Sequence, residues 1–437
     1  MSWAELLERD PGLVARLGDP ELVPPAAEEL LALVGEHVAL PGEPLPVAAE
    51  QVLARWKPGV STSSTWRLRF GDGGERLFAV KRYADGKARE IAAGAAVDDR
   101  GRVRGPFARS RVLLPDGRTL VWDFAHDRGL PGLARLYDRR RTGRRLRALD
   151  LFPGQHLRHR RTGFELLRYK PERRAVLALV LRLRGADGTL FERRLAARAL
   201  PPGEARRVAR VRRALERAGV TELAPRLVDH EERPGLLLEE WLALDESHAP
   251  SLETAEEAGE LLARLHRLPL PPRPPAEPQG LALDAERALL GREPSLARLA
   301  AELAEVAPPA LRDCGWVHGD FHPDQVVRLA AGGAARLLDL DRAGVGEPAE
   351  DLASWIADRL LAEPEASFEA AAAELRAGYA AGGGVWPAPR RLAERVAGEL
   401  AHRAAACLRR LERGAVERAR GALERARSLS QEEAPLP

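Results

Sequence analysis

Trp316-Val317-His318-Gly319-Asp320-Phe321-His322-Pro323-Asp324-Gln325, followed shortly by Leu337-Leu338-Asp339-Leu340-Asp341, is the part of this 437-residue chain with the most legible chemistry. Asp320 follows a glycine in a short polar loop, the amide Gln325 stands five residues on, and Asp339 ends an apolar run. Moving a phosphoryl group from a nucleotide requires an acid that takes or orients the proton of the attacking hydroxyl, and oxygen ligands that hold magnesium against the phosphates. Asp320 suits the first task. Gln325 and Asp339 suit the second, because an amide oxygen and a carboxylate are both hard ligands. A carboxylate at the end of an apolar strand is costly without a partner, and a cation would satisfy Asp339. Asp341 reads equally as a second ligand or a surface acid.

Two further blocks flank this one. Leu261-Leu262-Ala263-Arg264-Leu265-His266 has helical spacing upstream, and Asp341, Gly344, Gly346, Pro348 and Asp351-Leu352-Ala353 follow downstream. In this order the three blocks resemble the aminoglycoside phosphotransferase family, the small-molecule branch of the protein-kinase-like fold. That family's loop reads His-Gly-Asp, four residues, then Asn, with the metal-binding Asp in a later apolar strand. The resemblance therefore implies that Asp320 is the catalytic acid, that Gln325 and Asp339 hold Mg2+, that ATP is the co-substrate, and that the acceptor is a small-molecule hydroxyl on a sugar or aminocyclitol. His318 and Asp351 would brace the loop. Gln325 in place of Asn is a departure that keeps the amide oxygen on one more methylene; maltokinases, sugar kinases of the same fold, resemble this chain in carrying Gln there.

The implied fold class is α+β: a two-lobed protein-kinase-like fold, with a small β-rich lobe and a helical C-terminal lobe, plus an extra N-terminal β module. Residues 1–46 read as a helical segment and linker, and 47–150 as a β-rich module resembling a kinase small lobe. Residues 151–242 read as the kinase-type small lobe, and 243–437 as the helical catalytic lobe. The two β-rich parts echo each other: Arg55-Trp56-Lys57-Pro58 matches Arg168-Tyr169-Lys170-Pro171, and the Gly71-to-Phe78 turn matches Gly185-to-Phe191. An Arg-rich helix near Leu133 to Leu149 would join them. Downstream, helices are expected at 352–361, 366–380, 389–413 and 416–428, with a Pro-rich loop at 269–278.

At the phosphate end of the second β-rich part, Lys170, Arg173 and Arg174 form a basic turn without glycine, whose side chains would replace the backbone amides of a Gly-rich loop. Aligning Phe78 with Phe191 sets Arg194 opposite Lys81, so Arg194 is the expected phosphate-gripping base on the third strand, with Lys81 reaching over as the alternative. Glu204 is the candidate partner of Arg194, or else an acid complementing a helix N-terminus. Glu240 and Leu242 lie in the segment resembling the adenine-side hinge. The acceptor pocket is expected among residues 351–413.

Composition bounds the rest. With 68 basic and 65 acidic residues the charge is nearly balanced, and the arginine runs lack interleaved aromatics, so a nucleic-acid partner is not expected. Two cysteines cannot build a disulfide framework. The N-terminal residues carry charges where a signal peptide would be apolar, and no apolar run approaches the roughly 20 residues that span a bilayer. A cytoplasmic protein without a membrane partner is expected, its oligomeric state open. A kinase-like scaffold with little turnover is the rival reading, motivated by Arg194, Glu192 and Gln325.

Overall fold

The computed structural model describes residues 8–94, 111–244, 252–270, 283–303, 314–330, 332–363 and 365–431. Strands β1 (Pro46–Lys57), β2 (Ser61–Phe70), β3 (Glu75–Tyr83), β4 (Arg111–Leu113) and β5 (Thr119–Asp123) form one antiparallel sheet in the order β1-β2-β3-β5-β4. Alternation explains its faces. Trp66, Leu68, Phe70, Phe78, Val80 and Val121 point to one side and pack on Leu30, Val34 and Val38 of the N-terminal helical segment. The Gly71–Gly74 turn closes β2 onto β3 with Gly73 in the left-handed region, and Asp72 accepts the Gly74 amide at 2.8 Å.

A second sheet contains β6 (Gln155–Leu157), β7 (Gly163–Lys170), β8 (Arg174–Gly185), β9 (Leu190–Ala199), β10 (Leu227–Glu231) and β11 (Leu236–Glu240). Its order is β10-β11-β9-β8, with β6 and β7 both pairing along β8. Apart from the extra strand β6, the two sheets repeat one topology, including a helix after β3 in the first (Lys87–Gly94) and after its counterpart β9 in the second (Pro202–Ala218). The linking stretch is two helices, Gly132–Tyr137 and Arg139–Ala148, where one was expected. Asp138 divides them, because its side chain accepts the Arg141 amide as an N-cap and starts a new helix. Leu133, Leu136 and Leu146 from this pair fill a shared core with Trp122 of the first sheet, Phe124 just after it, and Tyr169, Leu177, Leu179 and Leu195 of the second.

The remainder is helical, with two short ladders: β12 (Gly315–Val317) on β15 (Gly344–Gly346), and β13 (Val326–Arg328) on β14 (Ala335–Leu337). Helices run over Leu252–His266, Leu283–Leu290, Pro294–Glu302, Pro348–Ala362, Phe368–Ala381, Pro389–Arg409 and Ala415–Gln431. Three of the starts are set by Pro in the first turn, at Pro294, Pro348 and Pro389. The third of these ends at Arg409 rather than at Arg413, since Leu411 adopts a left-handed conformation and turns the chain. Most of the expected Pro-rich loop lies outside the described residues. Among the described residues no helix is long and apolar enough to cross a membrane.

Candidate functional site

The short ladder of β12 on β15 delivers the chain into the His318–Gln325 loop. Gly319 has a φ of 78°, and a Cβ there would meet the Arg342 carbonyl oxygen at 2.4 Å, so only glycine fits this bend. Asp351, almost wholly buried in the first turn of the helix Pro348–Ala362, accepts the backbone amides of His318 at 2.6 Å and Gly319 at 2.8 Å. His266 Nε2 donates to the same carboxylate at 3.1 Å, and His266 Nδ1 lies 2.7 Å from the Tyr379 hydroxyl. The loop is thereby tied to three helices. His318 itself donates from Nε2 to the Leu338 carbonyl at 2.7 Å, which couples the loop to the segment bearing Asp339. Phe321 stacks on Trp355 with centroids 5.2 Å apart and pins the loop's apolar side.

Asp320, between these anchors, is left half-exposed with Arg342 Nη1 at 3.5 Å. Burial alone would raise its pKa, but the positive charge of Arg342 opposes that, and Asp320 lies below the usual carboxylate range. It is ionised, as a proton acceptor must be. Gln325 is buried at the end of a turn, its amide nitrogen donating to His322 Nε2 at 2.9 Å, which leaves the carbonyl oxygen as its ligating end. Its backbone carbonyl accepts the Leu338 amide at 2.8 Å, so Gln325 and Asp339 stand on adjacent segments.

Asp339 has a left-handed backbone, φ 54°, and meets two arginines: Arg174 Nη1 at 2.5 Å and Arg198 Nη2 at 2.9 Å. Burial would raise its pKa; Arg198 and Arg174 instead hold it far below the ordinary value. Arg198 also bonds Asp341 and lies 3.5 Å from Glu239, so one nearly buried guanidinium serves three carboxylates. Asp341 is the strained member. Burial, with Asp339 and Glu239 close by, pushes it up to about 7 against the pull of Arg198, and its Oδ1 is buried without a hydrogen-bond partner. Such networks are costly to break rather than strongly stabilising, because each charge depends on the others for its missing water.

Several expected residues converge here and others do not. Lys170, Arg173 and Arg174 flank the tip between β7 and β8, and Arg174 reaches Asp339. The Lys170 ammonium has no hydrogen bond or ion pair among the described residues; burial and the arginines Arg174, Arg168, Arg173 and Arg410 depress its pKa to about 6. Arg194 stands apart on β9. It pairs with Glu165 at 3.1 Å and Glu192 at 3.5 Å and lies over the Trp241 ring. It does not meet Glu204, which pairs with Arg207 at 2.6 Å while Arg207 donates to the Asp341 carbonyl. The residue that faces the acids is Arg198, and the ladder explains the shift: Lys81 pairs with Leu120, the second residue of β5, and Arg198 with Leu237, the second residue of β11. The second hairpin is longer than the first, so counting from the phenylalanines stops four residues short. Lys81 bonds Glu172 at the tip, not the acids of the cleft. At the hinge, Glu240 is exposed, its amide donating to the Arg226 carbonyl at 2.9 Å, and Leu242 is half-buried just beyond.

Beside Asp320, the helix Pro389–Arg409 contributes Glu399 and Arg403. Burial raises the Glu399 pKa, opposed by Arg403 and His402 and reinforced by Asp320. Arg403 bonds Asp358 Oδ1 at 2.5 Å and the Ser354 carbonyl at 2.9 Å. Among the described residues no group of three or more His, Cys, Asp or Glu side chains is gathered as in a closed metal centre. The oxygen donors that are present, Asp339 and Gln325 with the unpartnered Asp341 Oδ1 nearby, instead suit a hard cation completed by phosphate oxygens and water.

Compared with known proteins, residues 172–395, just over half of the chain, match the model of the phosphotransferase enzyme family. No curated protein matches the chain. Solved structures similar to it include a choline/ethanolamine kinase family protein from Mesorhizobium loti (17% identity, covering 67% of this chain and 95% of that one, TM-score 0.39). An aminoglycoside phosphotransferase from Alicyclobacillus acidocaldarius is similar at 16% identity, 58% and 90% coverage and TM-score 0.38. Another, from Streptomyces rimosus, is similar at 20% identity, 61% and 93% coverage and TM-score 0.37. The family match takes in Glu172 to Arg174 of the basic turn, the hinge, the His318–Gln325 loop, the Asp339 segment and Asp351: this chain belongs to the phosphotransferase enzyme family.

Proposed function

We propose that this phosphotransferase moves the γ-phosphoryl group of ATP to a hydroxyl of a small molecule, a sugar or aminocyclitol. The observation that carries the reading is the Asp320–Asp339 pair: two ionised carboxylates on adjacent, mutually braced segments, one facing Arg342 and half-open, the other facing the basic turn. Arg198 and Arg174 keep Asp339 in the anionic form that a hard cation requires. Gln325 and Asp339 would hold Mg2+, which when bound supplies charge neutralisation on the phosphates. Lys170, Arg173 and Arg174 would take the phosphate oxygens, and the adenine would lie along Glu240 and Leu242.

The acceptor oxygen attacks the γ-phosphorus, its proton passes to Asp320, and the bond to the bridging β-oxygen breaks to release ADP. Asp320 does little more than position and deprotonate, since most of the barrier is lowered by placement and charge. Glu399 and Arg403 beside Asp320 supply a carboxylate and a guanidinium, groups that pair with adjacent hydroxyls of a polyol. The mixed charge of that wall favours a neutral acceptor over a polycation.

The test is calorimetric titration with ATP, with and without Mg2+, on wild type, Asp339→Asn and Asp320→Asn, followed by phosphate transfer to a panel of sugars. Expected are Mg2+-dependent binding lost in Asp339→Asn, and retained binding in Asp320→Asn with turnover lower by about 100- to 10,000-fold. Wild type that binds ATP but transfers no phosphate to any hydroxyl would leave a nucleotide-binding scaffold instead.

A further inference from the structure

The turn joining β7 to β8, Lys170 to Arg174, contains no glycine, and Glu172 adopts the left-handed conformation with φ 56°. For a residue with a Cβ that conformation is unfavourable, so surrounding contacts must impose it. They come from the first sheet and the loop that follows it. The Glu172 amide donates to Asp127 Oδ2 at 2.7 Å, and one carboxylate oxygen accepts from Arg128 Nε at 2.7 Å while the other meets the Lys81 ammonium. Asp127 is held in turn by the Tyr169 hydroxyl at 2.8 Å and the Gly129 amide at 2.8 Å, and Tyr169 accepts from Trp122 at 3.0 Å. At Gly129 a Cβ would sit 2.7 Å from the Glu172 Cα, so the loop presses backbone to backbone on the tip.

This arrangement inverts the usual design of a phosphate-covering turn. A glycine-rich turn offers free amides to the phosphates and bends to meet them. Here the tip amide and both carboxylate oxygens are consumed on the side away from the cleft, and Arg174 reaches Asp339 on the other. The tip can contribute side chains only, and its position is dictated from outside the part of the chain that the family match covers.

We propose that the N-terminal sheet is a fixed clamp on the nucleotide-phosphate turn, with Lys81, Asp127 and Arg128 as positioning residues that hold Glu172 so that Lys170, Arg173 and Arg174 stand ready for the triphosphate. The inference rests on the phosphotransferase reading and gives the N-terminal sheet a task within it. Lys81 contacts no nucleotide in this scheme; it acts through Glu172.

Lys81→Met and Glu172→Gln remove the charge pair with little change in bulk. If the released turn occupies its phosphate-facing position a tenth of the time, the apparent affinity for ATP falls about tenfold. The expected result is a KM for ATP raised by about that factor, with a smaller change in kcat, an unaltered KM for the acceptor, and faster hydrogen exchange at the Glu172 amide. Reversing the pair, Lys81→Glu with Glu172→Lys, should recover part of the loss. An unchanged KM for ATP in both single variants together with a lower melting temperature overturns the clamp and leaves a contact that only docks the sheet. Wild type that binds no ATP sinks the phosphotransferase reading itself, which separates the two failures.

Discussion

A lysine whose ammonium is half-buried among Arg168, Arg173, Arg174 and Arg410 gives up its proton readily, and Lys170 does so near pH 6. In the folded chain it is neutral over a window from about 6 to the ordinary lysine value of 10.5, where the unfolded chain still holds the proton. Because the unfolded state binds more protons there, this residue makes stability rise with pH across that window. A polyphosphate beside Lys170 reverses the preference, since an anion favours the charged form. ATP binding at pH 8 is therefore expected to take up a proton. Calorimetry in two buffers of different ionisation enthalpy measures the uptake, and Lys170→Met should abolish it. Equal binding heats in the two buffers would remove Lys170 from the phosphate site.

At the scale of elements, the strongest restraint on the helical part is a contact between backbones. The helices Leu252–His266 and Phe368–Ala381 approach so closely that a Cβ on Gly378 would lie 1.8 Å from the Glu256 carbonyl, and one on Gly259 would lie 2.4 Å from the Leu375 carbonyl. This crossing carries His266 to Tyr379 and on to Asp351, so it sets the loop that holds Asp320. Gly378→Ala must separate the helices, at a cost of about 1–3 kcal/mol, read as a lower urea midpoint; an unchanged midpoint would mean that the pair slides freely. The glycines of this crossing were invisible to periodicity, which marks apolar faces and not close approach. The start at Pro389 was legible, whereas the helix that Pro348 opens was expected only from residue 352; the Asp320, Gln325 and Asp339 trio was legible because its spacing is local. Arg198 was not, because its place depends on which rung of a ladder it occupies, and hairpin length, which fixes the rung, differs between the two sheets.

Across the whole molecule, the first sheet is built into both of the bodies beside it. Near the end of its edge strand β1, Trp56 is fully buried among Leu13, Leu22, Leu289, Leu290 and Leu408, so the N-terminal segment and the C-terminal helices share one core. The Trp56 indole donates to Asp19 Oδ2 at 2.9 Å, the Gly59 amide donates to the same oxygen at 2.6 Å, and Arg292 meets Oδ1 at 3.0 Å while its guanidinium lies 5.5 Å from the indole ring. The other end of the chain closes the same junction: the Asp10 amide donates to the Leu411 carbonyl at 2.7 Å, and the Arg413 amide to the Glu8 carbonyl at 2.7 Å. A sheet anchored this way on the helices, and packed through Trp122 and Tyr169 on the second sheet, cannot unfold without exposing both cores. Trp56→Ala should thus cost about 3–5 kcal/mol, and it should lower the denaturant midpoint seen by far-ultraviolet circular dichroism, which reports the helices, together with the midpoint seen by tryptophan fluorescence. An early fluorescence transition with the helical signal unmoved would instead show that the first sheet unfolds alone. A clamp on Glu172 would then be anchored to nothing rigid.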